Sequence, residues 1–164
     1  DSFIAFHHAF SDNMEWNLKN IRYIHELLLG KLDPVIAGQW KNENNVAPGN
    51  DATTDFREVP QAMSDLMDWF HNELKNDVYP PILALRFYCR FEKIHPFLDG
   101  NGRVGRILFN AILDKFGYPP IVFFAENKLN SCLSRLLRII LLPLRTMAFY
   151  HARPKNLSFS FLYP

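Results

Sequence analysis

An imidazole, a carboxylate and two guanidiniums crowd the stretch His95-Pro96-Phe97-Leu98-Asp99-Gly100-Asn101-Gly102-Arg103-Val104-Gly105-Arg106. Gly100 and Gly102 flank Asn101 just ahead of a helical pattern. Glycines let a backbone turn sharply and aim successive N–H groups at one point. A helix start adds unpaired donors and the positive end of the helix dipole. Together these predict an anion cradle. Arg103 and Arg106 stand at i and i+3 and share a face. Two guanidiniums beside such a cradle suit a polyphosphate better than a single carboxylate. Asp99 puts an acid at the mouth of the cradle, where phosphates repel it unless a cation lies between them, so the arrangement asks for Mg²⁺. Near neutral pH, His95 can take a proton from a hydroxyl nucleophile. Base, metal carboxylate, cradle and arginines are the parts of phosphoryl or nucleotidyl transfer.

Taken singly, each residue has a plainer reading. His95 could be a satisfied core histidine, Asp99 a helix cap, and the two arginines a solvated face. Their combination in one run is what points to chemistry. Gly100, Gly102 and Gly105 also spell G-x-G-x-x-G, but the dinucleotide fingerprint needs a buried strand before it and a βαβ unit around it. Arg90, Glu92 and Lys93 are wrong for a buried strand, and the residues before the run follow a helical period.

The elements that must hold this run are predicted to be helices, at a period of about 3.6 residues. The first runs from about residue 13 to 29, with Ile21, Ile24 and Leu28 on one face and Gly30 as a stop. Asp12 and Glu15 are spaced as N-cap and N3 of a capping box at its start. Pro60 opens a second helix bearing Met63, Leu66, Met67, Phe70 and Leu74. Pro81 opens a third, bearing Ala84, Phe87, Tyr88 and Phe91. A fourth carries Val104, Ile107, Leu108, Ala111 and Ile112 and ends near Gly117. Arg103, Arg106 and Asn110 stand on its opposite, solvent-facing side. Residues 129–140 read as a fifth helix and Pro143 begins a sixth. Residues 36–58 break the pattern, being rich in Asn, Gly, Asp and Thr with a turn signal at Pro48-Gly49-Asn50. They read as an irregular β-hairpin or long loop, and loops of that length are often functional.

Composition sets the bounds. The chain has 164 residues, 48% hydrophobic and 15% aromatic, enough for one domain with a sizeable core. A net charge of +1 offers no field to gather nucleic acid or an acidic membrane, so neither is an expected partner. A helix-turn-helix reading of residues 81–115 is weakened by that near-neutrality and by Pro96 and two glycines in the connection. Cys89 and Cys132 sit in apolar runs and read as buried thiols. Residues 136–144 are too short to span a bilayer and are broken by Arg138 and Pro143. With no signal peptide visible, the cytoplasm is the expected location, and secretion as an effector stays open.

The run from His95 to Arg106 resembles the Fic signature, H-x-F-x-[D/E]-G-N-G-R-x-x-R, with every fixed position filled. The resemblance extends from Ile21-Arg22-Tyr23-Ile24-His25-Glu26-Leu27-Leu28 to Gly117-Tyr118-Pro119-Pro120-Ile121-Val122, and more weakly to Phe149. Gly38-Gln39-Trp40-Lys41 is similar to the start of the family's flap. The resemblance implies an all-α, compact helical catalytic domain over residues 1–152, a small hairpin flap at about 36–58 beside an active-site loop and helix start at 95–106, and a tail at 153–164. It implies transfer of AMP from ATP to a Ser, Thr or Tyr hydroxyl of a target protein, self or other. His95 would be the general base and Asp99 the Mg²⁺ ligand. Asn101, with the backbone of Gly100 and Gly102, would hold the α-phosphate region, and Arg103 and Arg106 the β- and γ-phosphates. Phe97 would anchor the loop in the core. Trp40 and Val46 of the flap would contact the target, paired in strand fashion.

Departures leave alternatives. Asn130-Ser131-Cys132 replaces the family's tyrosine-rich adenine-pocket helix, so UTP or CDP-choline stand as other donors. Lys, which marks the kinase branch, is absent at Gly102. A nucleotide-binding module without transfer is the other class of reading, and intact His95 speaks against it. Many members are restrained by a glutamate of a helix with the pattern [S/T]-x-x-x-E-[G/N], which pairs with the second arginine, here Arg106. Ser11 and Glu15 match that pattern and Trp16 does not. The inhibitor is Glu15, a glutamate from another segment in cis, or a separate protein.

Overall fold

The structure, a computed structural model, describes residues 2–11, 14–47 and 51–121. Five helices stand among them: α1 (Ser2–Ala9), α2 (Leu18–Leu29), α3 (Val59–Glu73), α4 (Pro80–Ile94) and α5 (Asn101–Lys115). The only sheet among the described residues is a hairpin of β1 (Val46–Ala47) and β2 (Asp51–Ala52), antiparallel with Val46 opposite Ala52. The helical fold with a hairpin flap is thus the one that the sequence predicts. The predicted helices at 129–140 and from 143, the tail at 153–164 and Cys132 lie outside the described residues. No helix among the described residues is long and apolar enough to cross a membrane.

Local chemistry accounts for most boundaries. Prolines at the first turn start α3 and α4, where a missing N–H has no partner to lose. Residue 13 is not the start of α2. Asn17 is its N-cap, in extended conformation, with Oδ1 accepting from the Asn20 N–H at 2.9 Å. This corrects the expected capping box at Asp12 and Glu15. Helix α1 was not foreseen from the sequence. Five of its eight residues are apolar, but it buries only Ala5 and Ala9 deeply, while Phe3 and Ile4 remain exposed. Cys89 is half-buried on α4, packed against the core.

Helix α5 occupies the centre, packing against α4, α1 and α2, while α3 covers α4. Every residue from Ile107 to Leu113 is buried. Asn110 is therefore not on a solvated face as expected. Its amide donates to the carbonyls of Arg106 and Ile121 and accepts from the Ile121 N–H at 2.7 Å, pinning the chain that leaves the helix. Aromatic rings fill the space between helices, with Phe70 against Phe87 at 5.0 Å and Trp16 against Phe70 at 4.9 Å.

Gly105 sets how close α5 lies to α4. A Cβ there would stand 2.8 Å from Glu92 Oε1 and 2.9 Å from Tyr88 Cε2. Alanine is favoured over glycine in a helix by about 1 kcal/mol, whereas overpacking costs about 1–3 kcal/mol. Gly105→Ala is therefore expected to lower the denaturant midpoint despite its better helix propensity. An unchanged or higher midpoint would mean that α4 can step back freely.

Candidate active site

The loop joining α4 to α5 is built by stopping one helix and starting the next with left-handed residues. His95 caps α4 at φ 51°, ψ 62°, its N–H donating to the Phe91 carbonyl. A non-glycine residue in that region is strained, and such strain collects at functional sites. Gly100 is the N-cap of α5 at φ 79°, a conformation glycine adopts without a Cβ penalty. Between them the loop folds around Phe97, which is fully buried. Its ring stacks on His25 at 3.8 Å, nearly parallel, and lies 5.1 Å from Trp40.

The loop carbonyls are taken up one by one. Lys41 donates its backbone N–H to Pro96 and, at 3.5 Å, its ammonium to Ile94. Asn45 donates to Phe97 at 2.8 Å and to Leu98 at 3.5 Å. His25 Nε2 donates to the Asp99 carbonyl at 3.0 Å. Asn101 accepts from the Phe97 N–H at 2.9 Å and donates to the Phe97 carbonyl at 2.7 Å. Both polar atoms of its side chain are thus used inside the loop, and Asn101 is nearly fully buried. The side-chain contact to phosphate expected of Asn101 is replaced by a loop-shaping one. Its backbone N–H and that of Gly102, in the first turn of α5, remain as donors toward an anion.

The charged groups frame that helix start. Arg103 donates to Asp99 Oδ2 at 2.9 Å, while Asp99 Oδ1 accepts from the Gly100 N–H at 2.6 Å. The Asp99 side chain is 71% exposed, so this pair is weak and exchangeable. Arg106 has no ion-pair partner among the described residues. Its guanidinium reaches back along α5 to 3.2 Å from where a Gly102 Cβ would stand. Gly102 therefore gives it room to approach the cradle. Among the described residues no three His, Cys, Asp or Glu side chains are placed to share a metal ion. A single carboxylate fits Mg²⁺ nonetheless, because that ion is commonly held by one or two carboxylates together with substrate phosphates.

Both site histidines are kept neutral. Burial pushes His95 below the usual value of 6.5, with nearby Lys41 adding to the effect and the Glu92 carbonyl and Asp99 opposing it. His95 Nδ1 lies 3.3 Å from the Glu92 carbonyl, which can only accept, so Nδ1 carries the hydrogen and Nε2 keeps its lone pair. Burial likewise lowers His25. Of the flap residues, Val46 is 63% exposed, whereas Trp40 is half-buried against Phe97, with Arg22 over its ring at 5.7 Å. Trp40 therefore anchors the flap more than it offers itself to a partner. Glu15 is exposed, its carboxylate accepting from Asn17 Nδ2 at 3.1 Å. Lys41, Asn45 and His25 were not singled out as site residues by sequence reasoning. The signal for Lys41 was its place in Gly38-Gln39-Trp40-Lys41, the run similar to the start of the family's flap; its burial is seen only in the structure.

A helical domain whose left-handed loop and glycine-rich helix start present an imidazole, a carboxylate and two arginines to an anion is a recognisable class. A model of the Fic/DOC family matches residues 15–113. The protein adenylyltransferase Fic of Drosophila willistoni is 32% identical over 115 residues, 70% of this chain and 23% of that protein. Its counterpart in Drosophila mojavensis is 33% identical over 111 residues, 68% of this chain and 22% of that protein. A Fic-domain signalling protein of Bacteroides thetaiotaomicron superposes with a TM-score of 0.67 at 28% identity, covering 85% of this chain and 52% of that one. IbpAFic2, solved covalently tethered to Cdc42, shares the fold at a TM-score of 0.67 and 21% identity, covering 80% of this chain and 44% of that one. The chain belongs to the Fic/DOC family, and its matched segment spans less than a quarter of the length of these Drosophila relatives.

Asn101→Asp keeps the acceptor for the Phe97 N–H but sets a carboxylate against the Phe97 carbonyl. A buried group left without its partner costs about 1–3 kcal/mol. The expected outcome is a clear fall in melting temperature. An unaltered melting temperature would show that the loop does not depend on this side chain.

Proposed function

We propose that this domain transfers AMP from ATP to a Ser, Thr or Tyr hydroxyl of a protein. The observation that carries the reading is the arrangement of a neutral, buried His95 with an Nε2 lone pair beside a helix start flanked by Arg103 and Arg106. The hydroxyl gives its proton to His95 Nε2 as its oxygen forms a bond to the α-phosphorus. The bond from that phosphorus to the bridging oxygen breaks, and pyrophosphate leaves. The N–H groups of Asn101 and Gly102 receive charge on the transferred group. Arg106 holds the outer phosphates, and Arg103 joins it by exchanging its Asp99 partner for phosphate oxygen. Asp99, released from Arg103, and the phosphates would hold Mg²⁺, which neutralises polyphosphate charge when bound.

The choice of adenylyl over another donor rests on the likeness to the Drosophila adenylyltransferases, because residues 130–132 lie outside the described residues. The exposed hairpin edge at Val46 suits an extended target segment. As a brake on Arg106, Glu15 is disfavoured by its tie to Asn17. An inhibitory glutamate from another segment or a partner protein fits the same chemistry. Glu15→Gly is then expected to leave self-labelling by α-labelled ATP unchanged, and a marked rise would make Glu15 the brake.

His95→Ala is expected to reduce labelling of protein by α-labelled ATP about 10²–10⁴-fold while nucleotide still binds. Undiminished labelling would remove His95 from the chemistry, and nucleotide binding without labelling in the parent chain would make this a binding module. The pH profile carries a second check. A base with a lowered pKa stays competent at its ordinary value of 6.5, so kcat/KM is expected to fall only as the pH is taken below that point. An acidic limb centred well above 6.5 would assign the titration to another group. Asp99→Ala is expected to abolish the gain in ATP affinity that Mg²⁺ brings to the parent, and an equal gain in the variant would place the ion elsewhere.

A further inference from the structure

His25 belongs to none of the groups that meet substrate in the proposed reaction, yet it is fully buried on α2 and both ring nitrogens are engaged. Nδ1 accepts from the Gly38 N–H at 2.8 Å, and a backbone N–H can only donate. Nε2 therefore carries the ring hydrogen and donates it to the Asp99 carbonyl at 3.0 Å. One neutral tautomer satisfies both contacts, and the opposite tautomer satisfies neither. The ring face stacks on Phe97 at 3.8 Å, so the imidazole cannot rotate away without opening the core.

The two residues it joins lie on different parts of the site. Gly38 begins the flap. Its carbonyl is held from the same helix by Arg22 Nε at 2.6 Å, one turn before His25. Arg22 and His25 thus grip the C=O and the N–H of one residue. A Cβ on Gly38 would meet the Arg22 carbonyl and Glu26 Cβ at 3.3 Å, so the flap stem lies directly on α2. On the other side, the Asp99 carbonyl is what His25 holds, while the Asp99 carboxylate reaches out to Gly100 and Arg103. The Gly100 Cα also lies against the ring, since a Cβ there would stand 3.4 Å from His25 Cδ2 and Nε2.

We propose that His25 is a positioning residue that sets the flap stem and the Asp99 carboxylate relative to each other through one fixed tautomer. Nδ1 indexes the flap and Nε2 indexes the phosphate loop, with Phe97 holding the ring between them. The inference rests on the transferase reading only for its nucleotide readout, and its other readouts stand without it.

The two arms can be separated by amide side chains. The Asn oxygen overlies the place of an imidazole Nδ1, and the Gln nitrogen overlies that of Nε2. His25→Asn therefore keeps the acceptor for Gly38 and loses the donor to Asp99, while His25→Gln does the reverse. Amide hydrogen exchange in the parent and both variants is the test. In His25→Gln the Gly38 amide is expected to exchange about two- to tenfold faster, as befits one lost hydrogen bond, with Gly100 unchanged. In His25→Asn the Asp99 carbonyl loses its donor, so the Gly38 amide is expected to be unchanged and Mg-ATP affinity is expected to weaken in this variant alone. Equal acceleration of all core amides in both variants would reduce His25 to packing and overturn the inference, as would no change in either. The ring tautomer in the parent, read from imidazole ¹⁵N shifts, needs no variant to fold. A hydrogen on Nε2 with Nδ1 bare supports the inference, and a hydrogen on Nδ1 overturns it. A parent chain that binds no Mg-ATP would sink the transferase reading while leaving the exchange and tautomer results to judge His25.

Discussion

Everything around the site follows from one requirement: a short non-repetitive loop between two buried helices has carbonyls that must find donors. Helix and sheet satisfy their own backbone groups, and a turning loop cannot. Here the carbonyls of Ile94, Pro96, Phe97, Leu98 and Asp99 are met by Lys41, Asn45, Asn101 and His25. Those donors come from α2, from the flap and from the first turn of α5. The flap is thus part of the loop's support as well as a surface beside it. Lys41 shows how deep that support runs. Its ammonium is almost fully buried and donates at 2.8 Å to Asn45 and to Thr53, knotting the base of the hairpin. Burial lowers its pKa, as desolvation of a charge must.

With its carbonyls bound, the same backbone leaves N–H groups for a ligand. The α5 start supplies them, and Gly100 and Gly102 keep the approach clear. Part of the charge is balanced before any substrate arrives, since Asp99 and Arg103 neutralise each other across the mouth at 2.9 Å, while Arg106 has no ion-pair partner among the described residues. The pair is exposed, so separating it toward a cation and a phosphate is inexpensive. His95 lies deeper, where desolvation keeps the imidazole uncharged and its Nε2 lone pair free to take a proton. One short segment thus combines an exposed ion pair and a buried imidazole, a separation of environments by which proteins assign opposite tasks to neighbouring titratable groups.

The sequence by itself determined which chemical groups stand together and the local framework that carries them. The run from His95 to Arg106 holds its imidazole, carboxylate, glycines and arginines close together, so chain connectivity alone brings them to one place. Apolar periodicity and first-turn prolines located α3, α4 and α5, because those signals act within a few residues. Only the tertiary structure decided which polar side chain serves which backbone group. Asn101 and Asn110 looked like groups for phosphate or water, and they proved to be fasteners for Phe97 and Ile121. Asn17 took the cap expected of Asp12. His25, which the sequence shows only as one residue on a helical face, meets an acceptor 74 positions away at Asp99. Such a bond depends on how helices pack in three dimensions, and a hydrogen bond across that separation leaves no periodicity in the sequence from which it could be read.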